Sequence, residues 1–359
     1  GIVGSADATI NGVTVGKGAN SVASNTVLGA SALDSSSLSG ANATAIGDRA
    51  LTALTSGTNN TAVGAIAGLG ITTGISNTIV GSRSGLVLAA GSYNTSLGVE
   101  NFLTGTGSYN IAIGVQAQRN ATTGNNNTSV GYRASFNTSS GGNNTCIGHR
   151  SGYGISTGSN NTGAGYEAVA SNGTSNTGVG YQTLEANTGS HNVGVGQNAL
   201  TLSTSASQNT AVGSGSQTYT TTADNNTSVG YNSLLNNTTG TSNVAVGAEA
   251  LDANTIGANN TAIGRNALGA NTTAGNNTAV GYNSLLLNTT GTKNTAVGSN
   301  ALDAVTTSSG NTAIGYQALT THTGNNCTAV GNEALKLNTA ERCNAFGSVC
   351  LDANTTRND

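Results

Sequence analysis

The stretch "NNTAVGYNSLLLNTTGTKNTAVGSNAL", residues 276–302, contains one five-residue phrase twice: Asn-Thr-Ala-Val-Gly at 277–281 and again at 294–298. The glycine that closes this phrase recurs along almost the whole chain, with an average spacing of roughly 17 residues. Independent globular domains would not keep one rhythm, whereas a solenoid does, because each repeat forms one coil. The recurring glycines are Gly29, Gly47, Gly64, Gly81, Gly98, Gly114, Gly131, Gly148, Gly165, Gly180, Gly196, Gly213, Gly230, Gly247, Gly264, Gly281, Gly298, Gly315, Gly331 and Gly347.

The residues of the repeat indicate a β-coil. A unit of this length is too short for helix-pair repeats, which need about 33 residues, and Asn, Thr and Gly are poor helix formers. Thr-Ala-Val alternates with period two, as a strand does, and Asn-Thr-Thr-Gly at 288–291 has turn composition. We therefore predict an all-β protein, a parallel β-solenoid or β-roll of about 20 coils. Residues 1–20 are expected to be an irregular or capping segment, 21–351 the repeat array and 352–359 a C-terminal tail.

The composition excludes several functional classes. Charged residues make up only 7% of the 359 residues and the formal net charge is −3, so the sequence offers no basic patch for nucleic acid. It has no run of 18 apolar residues to insert into a membrane. The 14 acidic residues are scattered and the three histidines are far apart, which predicts neither an enzyme, nor a metal site, nor a cofactor.

The columns of the repeat predict how each coil packs. Val, Ile, Leu or Phe precedes nearly every phrase glycine, and we expect this column to face the core together with the Thr two places earlier. Leu four residues after the glycine gives a second apolar column. The middle residue of the phrase is almost always Ala, Ser or Gly, and on this assignment it points outward. A stripe of small residues and a thin core predict close contact with further copies of the chain, and we expect a homotrimer rather than a monomer.

The Asn that opens the phrase is expected to form a structural ladder, because stacked amides can hydrogen-bond from coil to coil. Cys327 and Cys343 replace this Asn in two consecutive coils. Neighbouring strands lie about 4.8 Å apart, which makes the pair a candidate disulfide, with two stacked free thiols as the alternative. The ladder is predicted at Asn60, Asn77, Asn94, Asn127, Asn226, Asn260, Asn277, Asn294 and Asn311.

The repeats resemble a known group of fibrous proteins. The segment 10–33, "INGVTVGKGANSVASNTVLGASAL", followed by reiterated copies of a phrase such as "NTAVGYNSL", resembles the shafts of bacteriophage tail fibres. Thr-Ala-Val-Gly is also similar to the Ser-Val-Ala-Ile-Gly unit in the heads of trimeric autotransporter adhesins, which are left-handed β-rolls. The resemblance implies an extracellular homotrimeric fibre shaft that mediates reach and attachment to a host surface receptor, with polysaccharide among the candidate receptors.

Two other functions remain open from the sequence. The chain could be a trimeric adhesin of a bacterial cell surface instead of a virion component. It could also bind ice, since flat Thr arrays order water, although the inward assignment of Thr argues against this. If the chain has a receptor-contact surface, we expect the irregular segment 65–160 to carry it. The Tyr residues directly after the phrase glycine, as at Tyr132, Tyr166 and Tyr231, could stack on sugars. The interpretation we favour is that these rings cover neighbouring coils, and the sequence assigns no binding site.

Overall fold

The computed structural model describes residues 7–351. These residues form an all-β parallel solenoid of about 19 turns with a repeat of about 17 residues, which confirms the predicted fold class. The chain divides into two compact units, residues 1–176 and residues 177–359. The predicted tail at 352–359 lies outside the described residues.

Each turn contributes one short strand, formed by the Thr-Ala-Val part of the phrase, and tight turns make up the rest. A single turn of 3₁₀ helix covers Ala19–Ser21. The strands of the first unit are β1 (Ala8–Ile10), β2 (Val13–Gly16), β3 (Thr26–Gly29), β4 (Thr44–Ile46), β5 (Thr61–Val63), β6 (Thr78–Val80), β7 (Thr95–Val99), β8 (Ile111–Val115), β9 (Thr128–Val130), β10 (Thr145–Ile147) and β11 (Thr162–Ala164). Those of the second unit are β12 (Thr177–Val179), β13 (Val193–Val195), β14 (Thr210–Val212), β15 (Thr227–Val229), β16 (Val244–Val246), β17 (Thr261–Ile263), β18 (Thr278–Val280), β19 (Thr295–Val297), β20 (Thr312–Ile314), β21 (Thr328–Val330) and β22 (Asn344–Phe346).

The strands pair in parallel and in register, so that equivalent residues of successive turns are neighbours. Between β18 and β19, for example, Ala279 lies opposite Ala296 and Val280 lies opposite Val297. At the N-terminal end β1 and β2 form an antiparallel hairpin, and β2 also pairs antiparallel with β3. The hairpin therefore covers the edge of β3 that no solenoid turn occupies, and terminal coverage of this kind is what repeat arrays require.

The direction in which the strand residues face was predicted wrongly. The middle residue of the phrase points into the coil, as Ala279 and Ala296 do at 0% exposure. The flanking Thr and Val point outward, and Val297 is 36% exposed. The interior of a 17-residue coil is narrow, so it admits Ala, Ser or Gly on the strand, while β-branched Thr and Val suit the outer face. The small-residue stripe thus packs the coil's own core and gives no evidence for a partner.

The interior of a turn is filled by a few positions that recur. In the turn that begins at Asn277, the buried residues are Asn277, Ala279, Ser284, Leu285, Asn288 and Gly291. Leu285, from the predicted Leu column, has φ near +49°, a left-handed conformation that costs a non-glycine residue about 1–2 kcal/mol. The same conformation recurs throughout the Leu column, and burial of the whole side chain, worth about 1.5–3 kcal/mol, offsets this cost.

The predicted ladder asparagines are all buried and hydrogen-bonded from turn to turn. Each one uses both ends of its amide, as Asn277 shows. Its Oδ1 accepts from the backbone N of Asn294 at 2.9 Å, and its Nδ2 donates to the carbonyl oxygen of Gly291 at 2.8 Å. Its own backbone N donates to Oδ1 of Asn260 at 3.0 Å. Asn277 therefore lines the core with its side-chain oxygen, its side-chain nitrogen and its backbone nitrogen all hydrogen-bonded. Buried polar groups are generally hydrogen-bonded in this way.

Sequence reasoning missed a second asparagine ladder inside the second unit. It consists of Asn237, Asn254, Asn271 and Asn288, where each Nδ2 after the first donates to the Oδ1 of the preceding turn at 2.8–3.1 Å. Each Nδ2 also donates to the carbonyl oxygen three residues later. The Asn-Thr dipeptide that recurs in the turn segments indicated this second ladder, but it was interpreted only as turn composition.

Cys327 and Cys343 are not joined by a disulfide in the structure, which corresponds to the stacked-thiol alternative. Cys327 reproduces both hydrogen bonds of a ladder asparagine. Its Sγ accepts from the backbone N of Cys343 at 3.1 Å and donates to the carbonyl oxygen of Ala340 at 3.3 Å. Burial raises the pKa of the Cys327 thiol above its ordinary value, which favours the protonated form that can donate.

His322 occupies the second-ladder position two turns after Asn288 and is 1% exposed. Its Nδ1 lies 3.1 Å from the carbonyl oxygen of Asn338, and its Nε2 lies 3.2 Å from Oδ1 of Asn311. Burial lowers the pKa of His322 below its ordinary value of 6.5 and outweighs the backbone hydrogen bonds with Asn338 and Gly324 and the charge of Glu341, which raise it. The imidazole is therefore neutral in the fold at neutral pH.

We expect His322→Asn to make the protein less sensitive to acid. Because the pKa of His322 is lower folded than unfolded, its stabilising effect is present above pH 6.5 and is lost as the pH falls below that value. Asn is the usual residue of the second ladder and does not titrate. Urea unfolding of both proteins between pH 8 and pH 5 checks this; if both lose stability in parallel, His322 does not titrate on unfolding.

Candidate functional site

Two surfaces in the described residues combine regularity with exposed groups that could bind. The first is the outer face of the strands, which we call the Thr/Val face. It consists of the Thr and the aliphatic residue that flank the middle residue of each phrase. Since the strands pair in register, each residue type forms a continuous column in each unit.

The aliphatic column of the Thr/Val face is exposed over many turns. Nine of the large apolar residues at these positions expose between 36% and 71% of their surface, the others are half-buried, and no charged residue occurs in the column. Monomeric proteins rarely expose continuous apolar patches above roughly a few hundred Å², and larger ones mark interaction surfaces. The most exposed members are Leu28, Leu97, Ile147, Val179, Val229, Ile263, Val297, Ile314 and Phe346.

The second surface lies at a corner of the first unit, and we call it the aromatic–arginine patch: Arg119, Tyr132, Arg133, Phe136, His149, Arg150, Tyr153 and Tyr166. Its core is two short stacks of rings. Tyr132, His149 and Tyr166 stack in succession with ring centroids 5.1 Å apart, and Phe136 stacks on Tyr153 at 5.3 Å. The stacks form because each ring is at the same position of consecutive turns, and the strand spacing of about 4.8 Å is close to the stacking distance.

Arginine guanidinium groups lie between and beside these two stacks. The guanidinium carbon of Arg133 is 5.1 Å from the Tyr132 ring centroid and 5.2 Å from that of Phe136. Arg150 lies 4.5 Å from the Tyr153 ring. Each such contact contributes about 0.5–1 kcal/mol at an exposed site and fixes the orientation of the side chain. The patch therefore presents its cations in a defined geometry.

Two glutamates bound the patch and pair with most of its cations. Arg150 Nη1 lies 2.9 Å from Glu167, and Arg119 and Arg83 lie 3.5 Å and 3.7 Å from Glu100. A hydrogen bond from Gln116, together with the arginine charges, lowers the pKa of Glu100. Arg133 differs: its Nε donates to Gln116 Oε1 at 2.7 Å, and no carboxylate within residues 7–351 is close enough to form an ion pair with it.

The second unit has no equivalent of this patch among its described residues. Its tyrosines after the phrase glycine, Tyr181, Tyr231, Tyr282 and Tyr316, are exposed. They are separated along the column by other residue types, and no pair of them stacks. The segment 65–160 that the sequence singled out for its irregular Leu column contains most of the patch. The patch itself was missed, because stacking depends on which turns are consecutive in space.

Nothing in residues 7–351 assembles the groups of a metal centre: no three His, Cys, Asp or Glu side chains come together there. No helix in that part of the chain is long and apolar enough to cross a membrane. No protein-family model matches the chain, and no curated protein matches it. The argument for function therefore depends on the fold and on the two surfaces.

Proposed function

We propose that this chain is the structural and adhesive shaft of an extracellular fibre, which assembles as a homotrimer through its Thr/Val faces and reaches a host surface receptor. The resemblance of its repeats favours a virion tail fibre, with a bacterial surface adhesin as the related alternative. The observation that supports self-association is the aliphatic column, which recurs on nearly every turn, is exposed on nine of them and contains no charge.

A second copy of the chain is the partner that fits this column best. Within each unit the column is uncharged and periodic at the strand spacing, so an identical column matches it and the contact repeats from turn to turn. Association of several such faces would remove the aliphatic side chains from water, which is favourable at about 25 cal/mol per Å² of apolar surface. In a closed trimer all three Thr/Val faces are covered, so no exposed apolar face remains to which further chains could add.

The native mass in solution tests this proposal. Multi-angle light scattering should give three times the chain mass of 34.9 kDa. The double variant Val280→Lys/Val297→Lys places two charges on the face and should dissociate the assembly, with an unchanged circular dichroism spectrum. Leu287→Lys is the matched control, because Leu287 is 46% exposed and lies outside the Thr/Val face. A monomeric parent chain would refute the proposal.

Ice binding is the second candidate, and one observation now favours it. The inward assignment of Thr that argued against it was wrong, because Thr61, Thr278 and Thr295 lie on the outer face next to the aliphatic column. A flat, regular Thr array beside apolar groups is the kind of surface that can order water. Thermal hysteresis in dilute solution, lost on replacing Thr278 and Thr295 with Lys, would support ice binding; its absence would dismiss it.

A further inference from the structure

The aromatic–arginine patch has no role in the assembly proposed above. Its residues lie one, two and five positions after the phrase glycine, whereas the Thr/Val face ends before that glycine. The rings of Tyr132 and Tyr166 are 42% and 38% exposed. Arginines at this column occur at Arg49, Arg83, Arg133 and Arg150, all in the first unit, whereas the second unit has Gln, Asn, Glu, Gly or Val there.

From this we infer that the patch is a binding site for an acidic polysaccharide, a glycan chain that carries carboxylates, with Arg133 as the carboxylate anchor. The inference names the receptor class for the proposed fibre and in that respect rests on the proposed function. The guanidinium of Arg133 is held between two rings, and only its Nε is engaged by Gln116. Its terminal nitrogens are the donors that match a carboxylate in a two-pronged arrangement.

The aromatic rings also favour an acidic ligand. In a stack, each ring covers the face of the next, so the stack presents ring edges at its side. Ring edges carry the positive part of the aromatic quadrupole. Together with the arginines they make a surface that attracts anions and oxygen-rich groups. The binding groups repeat at 5.1 Å along the column, which suits a regular polymer better than a single small anion.

The charge pattern argues against nucleic acid as the ligand. Double-stranded DNA carries one negative charge per roughly 1.7 Å, and proteins bind it by neutralising several phosphates at once. Here Arg150 is paired with Glu167 and Arg119 with Glu100, so Arg133 is the cation of the patch without a carboxylate partner. Two glutamates at the rim would repel a dense polyanion. A glycan with at most one carboxylate per sugar has the lower charge density that this arrangement fits.

Isothermal titration calorimetry with defined oligosaccharides tests the inference on the full chain. The acidic probes are a galacturonic acid hexamer, a hyaluronan hexamer and an α2,8-linked sialic acid tetramer; neutral dextran and a single-stranded DNA 12-mer are the comparisons. We expect at least one acidic probe to bind with a Kd of about 0.1–1 mM, more weakly at high salt. Dextran and DNA should both bind more weakly than that acidic probe.

Variants then locate the site. Arg133→Gln should weaken binding at least tenfold. Arg133→Lys keeps the positive charge but lacks the paired guanidinium donors, so its affinity should lie between those of Arg133→Gln and the parent chain. Tyr132→Ala should weaken binding through loss of the ring that holds Arg133. Tyr282→Ala removes an exposed but unstacked ring of the second unit and should leave binding unchanged, as should Arg265→Gln.

The outcomes separate this inference from the proposed function. Failure of all three acidic probes, equal binding of dextran, tighter binding of DNA, or an unaltered Kd in Arg133→Gln would each overturn the inference. Light scattering on the same samples reports the oligomeric state independently. A trimer that binds no glycan would leave the fibre proposal standing, and a monomer that binds through Arg133 would leave the glycan site standing.

Discussion

Gly81→Ala is expected to destabilise the first unit by about 3–5 kcal/mol, close to the largest effects seen for single substitutions. Gly81 has φ near +129°, which L-residues with a side chain rarely adopt. A Cβ at this position would also overlap the carbonyl oxygen of Gly98 in the next turn. The backbone of residue 81 fixes the position of the Cβ, and the oxygen belongs to the backbone of the next turn, so no flexible side chain can move to relieve the overlap.

Gly85→Ala, four residues further along the same turn, is the matched control. Gly85 also has positive φ, near +67°, but its nearest neighbours would lie 3.4–3.5 Å from an added Cβ, at ordinary contact distance. Leu occupies this position in many turns with similar φ, so the variant should lose only the cost of the left-handed conformation, about 1–2 kcal/mol. Urea unfolding followed by circular dichroism compares the two. Equal losses would show that close approach of the backbones does not explain the recurrence of the phrase glycine.

The phrase glycines allowed the fold to be predicted from the sequence, but not the contact that requires them. Their spacing predicted the coil, the parallel strands and the register, because only stacked repeats keep one period over a whole chain. The physical reason why glycine is needed at this position could not be predicted from the sequence of one turn. The overlap at Gly81 involves Gly98, and that contact exists only once the coil closes and the next turn stacks on it.

The wrong direction of the strand residues has a similar origin. Period two separates Asn277 and Ala279 from Thr278 and Val280, but it does not say which pair faces inward. Hydrophobicity favours Val280, and the sequence was interpreted accordingly. The structure decides by the width of the coil and by the ladder, because an Asn that satisfies backbone groups of two turns is most useful where water is excluded. The expectation of an Asn ladder therefore already contained the signal for the correct face.

The surfaces were less predictable than the core. Tyr132 and Tyr166 were visible as members of a column, but His149 completes the stack between them and was considered only as a metal ligand. Ring stacking and the position of Arg133 between two rings depend on side-chain directions in three consecutive turns. A repeat pattern specifies which residues are neighbours along a column, and it leaves the contacts between columns undetermined.

Asn277→Ala is expected to destabilise the second unit by about 2–4 kcal/mol. The substitution removes the acceptor of the Asn294 backbone N–H and the donor to the Gly291 carbonyl. It thus leaves the buried Asn294 N–H unsatisfied, at about 1–3 kcal/mol, and adds a small cavity. The Gly291 carbonyl loses one of its two hydrogen bonds and keeps the one from Asn288 Nδ2. Urea unfolding and hydrogen exchange at the Asn294 amide measure the loss; exchange there should accelerate more than at amides several turns away.

Two further variants identify the hydrogen bonds as the cause. Asn277→Cys should lose less than half as much as Asn277→Ala, because Cys327 shows that a thiol at this position both accepts and donates. Asn276→Gly is the matched control at the neighbouring residue, which is exposed and has φ near +61°. Glycine adopts this conformation readily, so the control should change stability by only about 0.5 kcal/mol. If Asn277→Cys loses as much as Asn277→Ala, side-chain volume and not the hydrogen-bond ladder holds consecutive turns together.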